Sequence, residues 1–113
     1  ETRCLEMKMI IAIVQDKDSN NLSNAFVEAG VRATKLATTG GFLRSGNTTF
    51  MIGIEDDRVA EVLALIKHIS SKRAEYITPP VNVEGQVERT YPVEIEVGGA
   101  TVFVLPVEQF FHF

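Results

Sequence analysis

Arg32 and Thr34 are the residues of this chain best suited to hold an anion. A guanidinium fork can grip a phosphate through two parallel hydrogen bonds, and residues two apart on a strand project from the same face. A solvent-facing strand arginine would read the same way. Just downstream, Thr38-Thr39-Gly40-Gly41 offers small residues that let backbone N–H groups approach an anion, with hydroxyls to add bonds. A Gly-Gly pair is also ordinary turn punctuation. Phe42 sits in this polar loop, where a large ring must either pack into the domain or stack on a base. Asn47 carries a donor and an acceptor on one amide, the type that reads an adenine edge, and beside Gly46 it equally suits a turn. Gly53 interrupts an apolar strand pattern, which marks either a bulge or the close approach of a ligand or another backbone. Gly46 is followed by Asn47 and not by lysine, so a triphosphate-cradling P-loop is absent and triphosphate hydrolysis is disfavoured.

Other polar groups are poor candidates for catalysis. Asp56-Asp57 reads as a helix start, and Glu94 and Glu96 read as the polar side of a strand. His68 falls late on a helix, His112 has no second histidine nearby, and no nucleophile stands beside a base. No catalytic residue and no metal site is expected. Cys4 is the only cysteine, so an internal disulfide cannot form, in keeping with a reducing compartment and a cytoplasmic location.

These residues need a scaffold that presents one strand face and one glycine loop. The run at 7–14 is continuously apolar, the mark of a central strand buried on both faces. Asp18 or Ser19 can cap a helix whose Leu22, Ala25, Phe26 and Ala29 share one side and which Gly30 ends. A strand is predicted over 31–38 and another over 48–54, then a helix from Asp56 with Val59, Val62, Leu63 and Ile66 as its stripe. Residues 71–90 read as one long connection. Alternation over 91–97, Gly98-Gly99, and the apolar run at 100–107 predict a two-residue hairpin. The order β-α-β-β-α-β plus an extra strand is an α+β, ferredoxin-like arrangement of one domain over 7–113. Residues 1–6 stand apart as an N-terminal extension or an expression remnant. Phe103, Phe110, Phe111 and Phe113 lack internal partners in this scheme, so subunit association is expected. The net charge of −4 opposes a phosphate-neutralising surface for polymeric nucleic acid. No run approaches the roughly 20 apolar residues that span a bilayer.

Over KMIIAIVQD (8–16), RATKLATTGGFLRSGNTTF (32–50) and YPVEIEVGGATVFVLPVEQF (91–110), the chain closely resembles the PstA/DarA family of PII-like proteins. The match covers nearly everything after Met7, with 67–90 as that family's variable region. The resemblance implies a PII-like homotrimer that binds the second messenger cyclic di-AMP between neighbouring subunits, without catalysis or a cofactor. It implies a short loop at 39–47 and a long loop at 71–90, whose rearrangement would signal to an unknown downstream protein. Carried over by position, Arg32 and Thr34 look like the phosphate pair, Thr39, Gly41, Phe42 and Leu43 like the closing loop, and Asn47 and Gly53 like the adenine pocket. Phe103 and the carboxy-terminal tail would line the cleft, with His112 standing where the family carries glutamine.

Two other functions fit the same general fold. An acylphosphatase-type hydrolase would use one arginine for phosphate and one asparagine for water, but its arginine belongs in a glycine-rich loop after the first strand, where this chain has Gln15-Asp16-Lys17-Asp18. A conventional PII-like ATP sensor should carry its long loop between the second and third strands, where this chain is short.

Overall fold

In a computed structural model, which describes residues 6–36, 46–77 and 93–113, the first apolar run becomes β1 (Met7–Gln15), and it is central. Along it, Ile10, Ala12 and Val14 are buried against the helices, while Met9, Ile11 and Ile13 point to the other face and are only half-buried. The chain continues through α1 (Asp16–Glu28), β2 (Thr34–Leu36), β3 (Asn47–Glu55), a 3-10 turn (Asp56–Arg58) and α2 (Val59–Ser70). It ends with β4 (Arg73–Ile77), β5 (Val93–Val97) and β6 (Ala100–Val107).

The main sheet has the order β2-β3-β1-β6 with every neighbouring pair antiparallel. With α1 and α2 as crossovers this is the ferredoxin-like α+β fold, in which β6 is the closing strand. Leu22 and Phe26 of α1 and Val62 and Ile66 of α2 bury themselves on Ile10, Ala12, Phe50, Ile52 and Ile54. Phe26 meets Phe50 edge to face at 5.5 Å between ring centroids, locking α1 onto β3. Such a pair contributes about 0.5–1.5 kcal/mol beyond its buried area. Leu63, expected in the α2 stripe, lies outside this cluster, where Leu65 and Ile69 pack instead. At roughly 100° per residue Leu63 and Leu65 flank the line through Val62 and Ile66 about equally, so the helical period alone does not choose between them and the neighbouring elements do.

Three sequence expectations are corrected. First, the hairpin across Gly98-Gly99 does not form, because β5 pairs with β4 in a separate two-stranded ribbon while β6 pairs with β1. Both glycines have positive φ, as a hairpin turn would require. Their N–H groups are spent elsewhere, Gly98 donating to Gln15 Oε1 at 2.7 Å and Gly99 to the Ser70 carbonyl. A Cβ on Gly98 would lie 2.5 Å from the Ser71 carbonyl oxygen, so the close passage admits only glycine. Second, the connection expected over 71–90 contains β4, so the fold has two strands beyond the ferredoxin-like core and not one. Third, neither Asp18 nor Ser19 caps α1. The helix starts at Asp16 after Gln15, and Asp18, 2% exposed, pairs instead with Arg73 at 2.6 Å. That bond raises the Arg73 guanidinium above its usual range.

Candidate ligand cleft

Arg32 is delivered to the sheet by the way α1 stops. Gly30, at φ 69°, lets its own N–H reach the Val27 carbonyl at 3.1 Å and lets Val31 N–H reach the Phe26 carbonyl at 2.8 Å. This pair of bonds closes the helix end and turns the chain sharply. Val31 plugs into the core, and Arg32 emerges exposed immediately before β2. Thr34 pairs with Met51, Gly53 pairs with Met9, and both rows belong to the face without helices. Arg32, Thr34, Gly53, Met9 and Met51 therefore meet in one cleft of about 430 Å³, closed on one side by Phe110 from the tail.

The electrostatics of this cleft are unspent. Among the described residues Arg32 forms no ion pair, so its fork remains available to a ligand. The pairing of β3 with β1 continues without a break through Lys8↔Ile54, Met9↔Gly53 and Ile10↔Ile52, so Gly53 is not a bulge. A Cβ built on Gly53 would meet nothing within 4 Å, and its φ is not left-handed. Nothing in the described chain demands glycine there, and its consequence is a bare patch of backbone on the cleft floor. A second recess beside it is lined by Gly30, Val31, Arg32, Gly53, Glu55 and Arg58. Two hydrogen bonds from Arg58 to the Glu61 carboxylate push the guanidinium above its usual range and hold Glu61 below the usual glutamate range.

The other candidates are placed apart from this group. Asn47 shares the sheet face with Gly53 but pairs with Gln15 at the far end of β3. They are six steps apart along the strand, about 20 Å at the usual rise. Phe103 pairs with Ile11 on β6, half exposed, and lies three strands across from Thr34, about 14 Å away. His112 is exposed beyond the end of β6. Thr39, Gly41, Phe42 and Leu43 lie outside the described residues. Arg32, Thr34 and Gly53 thus form one site within a chain, whereas Asn47 and Phe103 cannot reach it.

Over residues 7–113 the sequence matches the family described as cyclic-di-AMP receptor. The chain belongs to that family. A solved structure from Pediococcus pentosaceus, described as a functionally unknown protein, is similar at 57% identity and a TM-score of 0.80, covering 97% of this chain and 100% of its own. Arabidopsis thaliana PII bound to citrate is similar at 19% identity and a TM-score of 0.52, covering 92% of this chain and 77% of its own, which shows a PII-like fold.

For this cyclic-di-AMP receptor family member, two cleft residues are not among the sequence candidates. Met9 and Met51 could have been found by parity, since each flanks a buried isoleucine and must face the other way. Phe110 belongs to the tail that the resemblance brings to the cleft, while no local pattern by itself shows that it returns to β1 and β3. Among the described residues no helix is long and apolar enough to cross a membrane.

Proposed function

We propose that this protein is a non-enzymatic sensor of cyclic di-AMP that acts in the cytoplasm as a homotrimer and signals to a downstream protein through its loops. The observation that carries the reading is the Arg32 fork, without an ion pair among the described residues, beside Thr34 and above the bare backbone of Gly53, in a member of a receptor family. Phosphate charge is met by Arg32 and the Thr34 hydroxyl. Gly53 lets the ligand lie against the strand, and Asn47 recognises adenine through its amide. Thr39, Gly41, Phe42 and Leu43 close over the ligand, while Phe103 and His112 complete the wall.

The spacing supports a site shared between subunits. Asn47 stands about 20 Å from Gly53 in one chain, so a single ligand touches both groups only if a neighbour supplies one of them. Met9, Ile11, Ile13, Phe103 and Leu105 make the helix-free sheet face apolar, a surface suited to association. The same distance speaks against an acylphosphatase-type hydrolase, which would need Arg32 and Asn47 together.

Calorimetric titration with cyclic di-AMP, against cyclic di-GMP, ATP and 5′-AMP, tests the proposal. The expected result is selective binding of cyclic di-AMP near one per subunit, weakened about tenfold or more in Arg32→Ala, the loss of a charge-assisted hydrogen bond pair. A preference for ATP would move the conventional PII-like sensor to the front, and an undiminished Arg32→Ala would remove the phosphate assignment.

A further inference from the structure

We infer that Arg58 is a positioning residue for Arg32: it braces the turn that aims Arg32 into the cleft and does not itself hold the ligand. The inference rests on the reading of Arg32 as a phosphate ligand.

A helix ends with carbonyls that have no partner along the helix. In α1 the turn at Gly30 satisfies those of Phe26 and Val27, and Ala29 N–H reaches the Ala25 carbonyl. The Ala29 carbonyl, three residues before Arg32, is left over. Arg58 Nη2 donates to it at 2.9 Å from the 3-10 turn preceding α2. The last turn of α1 contains no basic residue, so this guanidinium also supplies the positive charge that a helix C-terminus favours.

Arg58 is itself held. Its Nε and Nη2 donate to the two Glu61 oxygens at 3.0 Å each, a bidentate grip within one helical turn. Glu61, Arg58 and Ala29 thereby form a chain of bonds from the start of α2 to the end of α1. Arg58 borders the same recess as Arg32 and Gly53. It nonetheless differs from Arg32 in kind, because its Nε and Nη2 donors are committed within the protein while Arg32 has no ion pair among the described residues. Without Arg58 the turn loses a bond and the dipole loses its counter-charge. Arg32 then samples more orientations and must be reordered when ligand arrives.

Titration with cyclic di-AMP of the wild type, Arg32→Ala, Arg58→Ala and the double variant distinguishes the roles. Arg58→Ala is expected to weaken binding roughly three- to tenfold, within the range of coupling between neighbouring residues. It is expected to add nothing in the Arg32→Ala background, and Arg58→Lys, which can still reach the Ala29 carbonyl, should recover part of the loss. Equal losses in both backgrounds would show that Arg58 acts independently of Arg32 and overturn the inference, as would unchanged binding in Arg58→Ala. If Arg32→Ala alone binds like the wild type, the phosphate reading fails and the positioning role falls with it. Should Arg58→Ala not fold, Glu61→Gln, which loosens the grip on Arg58 and leaves its bond to Ala29, gives the same comparison. Its loss should be smaller and must again vanish without Arg32.

Discussion

Replacing Gly53 with valine is expected to move stability and ligand binding in opposite directions. Glycine inside a regular strand destabilises it by about 0.5–1 kcal/mol relative to alanine, because it loses the most backbone freedom on folding. A β-branched residue suits a strand better still. In this protein a Cβ at position 53 has nothing within 4 Å and the backbone there is not left-handed, so the branch point meets no steric opposition. Gly53→Val should therefore raise the melting temperature by about 2–5 °C, given the unfolding entropy of a domain of this size. The valine methyls would stand on the cleft floor between Met9 and Arg32, where the proposed ligand would lie against the bare strand. Lifting the ligand by an ångström or more would break the hydrogen bonds proposed for Arg32, which at about 1.5–3 kcal/mol corresponds to a roughly ten- to hundredfold loss of affinity. Differential scanning fluorimetry and calorimetry on one preparation, with sedimentation to check equal assembly, read both quantities. Wild-type affinity would refute the approach of ligand to Gly53. A lowered melting temperature would show that the chain itself needs the glycine.

Two other perturbations follow from the packing. Arg73→Met leaves the Asp18 carboxylate, 2% exposed, without its partner. Because the arginine is about a third exposed and the pair is partly screened, the urea midpoint is expected to fall by less than for a fully buried pair. Asp18→Leu together with Arg73→Met should recover most of that, and no recovery would place the stabilisation outside the pair. Phe103→Asp with Leu105→Asp puts charge on the helix-free face at side chains 51% and 44% exposed. Sedimentation should then shift towards the monomer with circular dichroism unchanged, and an intact oligomer would exclude this face as the interface.

Part of the cleft, Arg32, Thr34 and Gly53, was legible because its signals are local. The two-residue step from Arg32 to Thr34 placed both side chains in one cleft, even though the regular strand begins only at Thr34. Gly30 announced the end of α1, and its positive φ is what that ending uses. Asp18 misled because an acid near a helix start resembles a cap, whereas its partner Arg73 lies 55 residues onward. Arg73–Ile77 was hidden because a strand with so many polar residues looks like loop until its partner Val93–Val97 is known.

What the sequence alone determined is therefore whatever a few neighbouring residues can enforce: strand and helix periods, the turn at Gly30, and the chemistry of Arg32, Thr34 and Asn47. Gly98-Gly99 marks the boundary of that reach. Its positive φ values were readable locally, but the same two angles serve a hairpin or a step between sheets. Only the tertiary structure decided between them, because strand pairing is a competition among edges distant in sequence. In that competition β6 takes the free edge of β1, and β5 takes β4. By the same physics a rigid strand holds Asn47 far from Gly53, a separation that side-chain chemistry does not encode and that pairing along the whole of β3 imposes.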